Sequence, residues 1–395
     1  MTAPVRVAVC ADFAEECWPS MDRVASMLLD ELGRHHADTI AVSPVRPPFR
    51  RRATRVWSAR PAFTFDRFAN RLWDYPRTVG AIAGDYDVVH VVDHSYSQLV
   101  HRVPEGRAVV TCHDLDTFRS VLDPDLEPRS APFRAMARHI LTGLRRAAVV
   151  TCDTSAIRDE IVARGLVPGE RLVVAPMGVG RAYSSEPDAA ADRAAARLVA
   201  SPDDAIELLH VGSTIPRKRI DLLLRVFASL RRERAGLRLV RVGGPFTREQ
   251  DDLVDALGVR DAIVVLGFVD DRTLAAIYRR AALVLQPSDR EGFGLPLVEA
   301  MACGTPVVAS DLPVLREVGG AAAEYCPPGD EGAWRQAVAA LLEERARRPE
   351  RLVVRAEAAR ARARLFGWDR FAARLADVYL DVAGRRHPAL ARSSA

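Results

Sequence analysis

Short apolar runs alternate with amphipathic helical stretches along almost the whole chain, and this rhythm limits the fold more than any other feature. Residues 5–10, 39–42, 88–92, 108–111 and 147–151 are strand-sized and mostly apolar. Strands that are apolar on both faces belong inside a parallel sheet covered by helices. Between them, Ser20 can cap a helix whose stripe is Met21, Val24, Ala25, Leu28, Leu29 and Leu32, with an end expected at Gly33. A second series has strands at 207–211, 237–242, 262–266, 282–286, 305–309 and 323–326. Its helix at 221–234 carries the apolar face Leu222, Leu223, Val226, Phe227 and Leu230. The expected class is α/β, with open and mostly parallel sheets.

The rhythm breaks once, at 174–200, where Pro176, Gly178 and Gly180 precede Ser184-Ser185-Glu186-Pro187 and an Ala/Arg/Asp run. This stretch reads as an interdomain connection. It separates an N-terminal domain, 1–180, from a second domain, 201–365. A length of 395 residues suits two cores better than one. Two such domains predict an interdomain cleft, with ligands bound beyond the carboxyl ends of the strands.

Composition narrows the function classes. With 49% hydrophobic and 27% charged residues, and no membrane-length apolar run, a soluble globular protein is expected. Residue 5 begins a strand with no signal peptide before it, which predicts a cytoplasmic location. Cysteines 10, 17, 112, 152, 303 and 326 have no CxxC spacing, which predicts reduced, mostly buried thiols and no zinc site. A net charge of +4 gives no argument for nucleic acid. Of the 56 basic residues, 55 are arginine; the single lysine is Lys218. A lysine is a compact point charge and an arginine a planar fork, so Lys218 suits a position that a fork does not fit.

Two segments carry the chemistry. In Asp289-Arg290-Glu291-Gly292-Phe293-Gly294-Leu295-Pro296, a strand is followed by a glycine turn and a new helix. Pro296 suits the first helical position and Gly304 a left-handed end. Free N–H groups around Phe293 to Leu297 can hold a diphosphate. Glu291 and Glu299, eight positions apart, are not placed like a hydrolase's carboxylate pair; each can accept hydroxyl hydrogen bonds from a sugar or ribose. In His210-Val211-Gly212-Ser213-Thr214-Ile215-Pro216-Arg217-Lys218-Arg219, three cations follow a strand end and precede a helix, where they can neutralise a pyrophosphate.

These segments, with Gly243-Gly244, Leu266-Gly267-Phe268-Val269 and Gly304-Thr305-Pro306-Val307-Val308, resemble the retaining glycosyltransferases of the GT-B fold, and more narrowly family 4 of the glycosyltransferases. The match is dense over 205–330; the N-terminal half matches in rhythm. The resemblance implies two Rossmann-like domains, an acceptor-binding one at 1–180 and a nucleotide-sugar donor-binding one at 201–365. It also implies a C-terminal crossover helix, 368–385, that packs back on the first domain. By the same resemblance Glu291 contacts the transferred sugar and Glu299 holds the ribose hydroxyls. Lys218 and Arg217 bind the diphosphate, and Gly212, Ser213, Gly292, Phe293, Gly294 and Leu295 line the donor. Two departures stand out. Ser213 stands where many members carry arginine, and Ala11-Asp12-Phe13 replaces a frequent Gly-Gly loop.

The expected reaction is transfer of a hexosyl group from a nucleotide-diphosphate sugar, with retention, to a hydroxyl of a glycan, a lipid-linked or a small-molecule acceptor. Alternatives are a GT-B-fold nucleotide-sugar epimerase or hydrolase, and a non-catalytic nucleotide-sugar-binding module. A dinucleotide-dependent dehydrogenase is disfavoured, since no GxGxxG follows the first strand. His94 and His113 follow strands; each suits either a structural role or, by the resemblance, contact with the sugar at the reaction centre. Asp114-Leu115-Asp116 and Asp123-Pro124-Asp125 have a metal-binding spacing but read better as turn and cap residues, so no metal and no cofactor is expected. The basic stretch Arg46 to Arg55, with Phe49 and Trp57, suits a solvated loop, a phosphorylated acceptor, or peripheral contact with the inner face of a membrane.

Overall fold

The computed structural model describes residues 3–57, 60–202 and 204–384. The chain divides into two units: residues up to Gly178 together with those from Trp368 onward, and Val179–Gly367. Each unit is built on a six-stranded sheet, and every strand pair is parallel.

The first sheet contains β1 (Val5–Cys10), β2 (Ile40–Val45), β3 (Val88–Val91), β4 (Ala108–Cys112), β5 (Val149–Cys152) and β6 (Leu172–Val174), in the order β2-β1-β3-β4-β5-β6. The inner strands are buried on both faces: β3 and β4 throughout, and β1 at all but Arg6. β2 runs further than its apolar pattern suggests and includes Pro44, which an edge strand tolerates. β6, three residues at the other edge, is too short to leave a periodic signal.

The first helix, Pro19–His35, starts one residue before Ser20, with Pro19 in its first turn and no side-chain cap. It continues through Gly33, so the expected stop is absent. Glycine inside a helix costs about 1 kcal/mol against alanine, and burial of Val24, Ala25, Leu28 and Leu32 outweighs that. The last helix, Trp368–Val382, buries Phe371, Leu375, Val378 and Tyr379 and packs on the first helix and β1. Tyr379 shares a 2.7 Å hydrogen bond with His90 Nδ1, and His90 Nε2 lies 2.8 Å from Thr111 Oγ1. This buried polar chain fixes the helix to the sheet. Residue 385 of the expected crossover helix lies outside the described residues.

The second sheet contains β7 (Ile206–Val211), β8 (Leu237–Val242), β9 (Ile263–Leu266), β10 (Leu283–Gln286), β11 (Val307–Ser310) and β12 (Glu324–Cys326), in the order β12-β11-β10-β7-β8-β9. The helices Ile220–Glu233 and Glu331–Arg347 cover one face through Leu223, Phe227, Leu230, Trp334 and Val338.

Residues 179–200 are not a bare connection. Asp188 caps a helix, Ala189–Val199, by accepting from the N–H groups of Ala190 and Ala191. That helix packs on Asp271–Arg280, where Arg279 meets Asp192 at 2.6 Å. The Ala-rich composition that looked like a linker has the highest helix propensity. Among the described residues no helix is long and apolar enough to cross a membrane.

Candidate functional site

In the second unit the chemistry collects at the carboxyl ends of β7, β8 and β10. Glu291, five residues beyond β10, is 9% exposed. Its Oε1 accepts three hydrogen bonds, from Lys218 Nζ at 2.7 Å, Gln286 Nε2 at 2.8 Å and Ser288 Oγ at 2.7 Å. Arg217 Nη1 lies 3.5 Å from Oε2. Burial pushes the Glu291 pKa up, but the charges of Lys218 and Arg217 and the hydrogen bonds outweigh it and hold it at about 2. The carboxylate is therefore ionised at neutral pH, with one oxygen saturated and the other free of short hydrogen bonds.

The glycine turn that follows is sterically required. Gly294 has φ +93°, and a Cβ there would lie 2.6 Å from Leu315 Cδ2. Gly294 opens the helix Leu295–Ala302, with Pro296 in the first turn. The helix ends in a Schellman motif: Gly304, at φ +79°, donates to Met301 O at 3.0 Å and Thr305 to Ala300 O at 2.9 Å. Among the described residues the N–H groups of Gly292, Phe293, Gly294 and Leu295 donate no hydrogen bond. Together with the helix dipole they leave positive partial charge at this end of the helix, an arrangement suited to an anion. Phe293 itself is buried, its ring edge-on to Phe366 at 5.5 Å.

The basic loop divides its labour. Arg217 Nη1 donates to Arg290 O at 2.8 Å, and Arg217 O accepts from Asp289 N at 2.8 Å, which ties the two loops together. Arg219 is fixed by Asp221 and Asp289, each at 3.0 Å. Lys218 is the one that hydrogen-bonds Glu291, with Arg217 in looser ionic contact. Glu299, 3% exposed, accepts from Tyr278 OH at 2.9 Å. Gly212 and Ser213 stand at the end of β7 over His210, whose pKa burial, then Arg241 and Lys218, push down to about 3.

Sequence reasoning missed Gln286, Ser288, Tyr278, His210 and Arg241. Gln286 ends β10 and Ser288 follows it past Pro287, and a polar pair at the end of an apolar strand was the available signal. Tyr278, His210 and Arg241 sit inside apolar periodic runs and left none.

In the first unit a second group gathers at the carboxyl ends of β1, β3, β4 and β5. His113 has both ring nitrogens engaged, Nδ1 at 2.7 Å from Asp153 Oδ2 and Nε2 donating to Val92 O at 2.9 Å. Burial alone would lower its pKa, but the Asp153 charge and hydrogen bond raise it to about 9. His94 Nδ1 accepts from the His113 N–H at 3.4 Å and lies 3.3 Å from Asp93 Oδ1; Nε2 makes no hydrogen bond, with Asp114 Oδ1 3.4 Å away. Its pKa is also raised: burial lowers it, but the neighbouring Asp114 and Asp93 carboxylates outweigh that. Asp12, in the loop that departs from Gly-Gly, is buried, with Oδ2 lacking a partner. Burial and then the Asp93 carboxylate push its pKa well above the usual range.

Of the two DxD triplets, Asp123 is taken by Arg119 and Arg164, each at 3.0 Å, and Asp114 accepts from the Asp116 N–H. Among the described residues no group of three or more His, Cys, Asp or Glu side chains is placed to hold a metal ion. The basic stretch is partly neutralised: Arg46 pairs with Asp22, and Arg50 and Arg52 pair with Asp74. Phe49 packs between Phe13 and Phe63. Arg51, Arg55 and Trp57 remain exposed.

Two family descriptions match the chain, "Glycosyl transferases group 1" over residues 194–361 and "Glycosyltransferase Family 4" over 21–182. A D-inositol 3-phosphate glycosyltransferase of Xylanimonas cellulosilytica is 33% identical over 319 residues, 77% of this chain and 74% of its own. Among solved structures, sucrose-phosphate synthase from Thermosynechococcus elongatus superposes with a TM-score of 0.71 at 19% identity, over 97% of this chain and 100% of its own. Anabaena HepE in complex with UDP and glucose superposes at 0.68 and 18% identity, over 95% and 100%. At these identities the structures speak for the fold.

Proposed function

The chain belongs to the GT-B glycosyltransferases of the family 4 type, and we propose that it transfers a hexosyl group from a nucleoside-diphosphate sugar to an acceptor hydroxyl, with retention at the anomeric carbon and no metal ion. The observation that carries this reading is the meeting of Lys218 and Arg217 on the ionised Glu291, immediately before a glycine turn whose four N–H groups donate no hydrogen bond among the described residues. That set suits a diphosphate beside a polyhydroxyl ring. The UDP complex of HepE supports a nucleotide sugar as donor.

In this reading the diphosphate sits on the N–H groups of Gly292 to Leu295, with Arg217 and Lys218 taking the charge that grows on it as the glycosidic bond breaks. Stabilisation that increases toward the transition state is what accelerates the step. Glu291 uses Oε2, which accepts no short hydrogen bond, to take a sugar hydroxyl, and Glu299 accepts the ribose hydroxyls. A departing phosphate oxygen takes the acceptor's proton, so no side-chain base is required. His94 is the better of the two histidines for the sugar or acceptor, because His113 has no ring nitrogen to offer. The domain assignment, donor site in the second unit and acceptor site in the first, is part of the same proposal.

A peripheral membrane contact is proposed for the first unit. Arg51, Arg55 and Trp57 are exposed, and so are Phe65 and Trp73 on the neighbouring helical segment, with Arg77 over the Trp73 ring at 3.7 Å. Cations beside exposed indoles suit an anionic lipid surface.

The test is turnover of UDP-, GDP-, ADP- and TDP-sugars with acceptor mixtures in the presence of EDTA, with product configuration read by NMR. A retained anomer formed with EDTA present supports the reading. A metal requirement, an inverted product, or donor epimerised or hydrolysed without transfer would refute it.

A further inference from the structure

Arg241 is the penultimate residue of β8, in register beside His210 of β7, and is fully buried. Among the described residues no carboxylate pairs with it. One terminal nitrogen donates closely to Gly244 O, the other to Gly212 O at 3.0 Å, while Nε has no partner. The ring of Phe246 lies 5.1 Å away. Burial lowers its pKa to about 10, which leaves the guanidinium charged at neutral pH. A buried cation without a counter-ion costs several kcal/mol, and apolar residues of similar size would serve a purely structural role better.

The two carbonyls that Arg241 holds belong to the glycine turns at the donor end of the sheet. Gly212, Gly243 and Gly244 all have positive φ, and a Cβ on Gly243 would lie 2.1 Å from Gly212 O. In a trans peptide the C=O and N–H point in opposite directions. Holding Gly212 O inward toward Arg241 therefore turns the Ser213 N–H outward. That N–H donates to nothing among the described residues. Nearby, Arg217 and Lys218 already share the single charge of Glu291.

We infer that Arg241 is a positioning residue for the donor diphosphate: it aims the Ser213 N–H at a phosphate oxygen from beneath the loop and contributes a positive charge that only the bound anion balances. The inference rests on the donor-site reading above. It adds a binding group, Ser213 N–H, at the position where the side chain departs from the arginine of many relatives.

Calorimetry with UDP, GDP, ADP and TDP and their parent nucleosides, on wild type, Arg241→Met and Arg241→Lys, tests it. In Arg241→Met the best-bound diphosphate should lose at least tenfold in affinity and its nucleoside less than twofold. The melting temperature without ligand should not fall, and Arg241→Lys should recover part of the loss. An unchanged diphosphate affinity overturns the inference. So does a parallel loss of diphosphate and nucleoside with a lower melting temperature, which a merely structural arginine would give. If Arg241→Met does not fold, Arg241→Lys is read by the same ratio, and no selective loss overturns the inference. Should wild type bind none of the four diphosphates, the donor reading itself fails and takes this inference with it.

Discussion

Lys218 Nζ lies 2.7 Å from Glu291 Oε1, so the chain's single lysine is hydrogen-bonded to a buried carboxylate whose pKa is held down at about 2. The same oxygen accepts from Gln286 and Ser288, and three donors on one atom leave room for an ammonium but not for a planar fork.

Lys218→Arg should therefore fail to substitute. Steady-state kinetics with the accepted donor should give a kcat at least about tenfold lower than wild type, equivalent to ~1.4 kcal/mol of barrier. Full activity in Lys218→Arg would mean that the geometry around Glu291 does not matter to turnover.

Gly294→Ala places a side chain at φ +93° and a Cβ 2.6 Å from Leu315 Cδ2. Backbone strain of this kind costs about 1–3 kcal/mol. Denaturant unfolding should register a loss in that range, and donor affinity should fall with it, because the Phe293 and Leu295 N–H groups share the turn.

The folded pKa of His113, about 9, lies above its ordinary value of 6.5. A raised histidine stabilises the fold fully below its unfolded pKa and loses that contribution as pH climbs through the folded one. The stability difference between wild type and Asp153→Asn should thus be largest below about pH 6.5 and shrink toward pH 9. A difference independent of pH would show that the Asp153–His113 contact does not carry the charge.

Flotation with vesicles tests the exposed patch. Wild type should rise with phosphatidylglycerol vesicles and not with phosphatidylcholine, and Arg51→Glu with Arg55→Glu should abolish it, since each basic group near such a surface is worth about 1 kcal/mol. Equal behaviour on both lipids, or none on either, would remove the membrane contact.

The parallel α/β architecture was legible because its signals are local: runs such as Val88–Val91 and Ala108–Cys112 are apolar on both faces, and the turn at Gly292–Gly294 is marked by glycine and Pro296. The edge strand β6 and the helix Ala189–Val199 were not, the first for lack of length and the second because alanine, arginine and aspartate read alike in linkers and helices. In the site, the glycine turn and the basic loop stood out in the sequence, and the family resemblance supplied the roles expected of their residues. The hydrogen bond between Lys218 and Glu291 spans 73 positions and depends on β7 and β10 being neighbours, which no local pattern encodes. Arg241 was hidden for another reason: a charged residue in a strand pattern is normally assigned to an exposed face, and here it is turned inward onto two carbonyls.

The return of the chain to its first unit at Trp368 sets an order of assembly. The second unit is one continuous stretch, Val179–Gly367, and all of it has been synthesised before the helix Trp368–Val382 exists. During translation the first piece of the first unit, finished at Gly178, must wait for nearly two hundred further residues before this helix can cover β1. The inner module can close on itself while the outer one is still unfinished. A gene fragment encoding 179–367 can therefore yield a self-contained body, whereas the first unit needs both of its separated pieces to complete its surface.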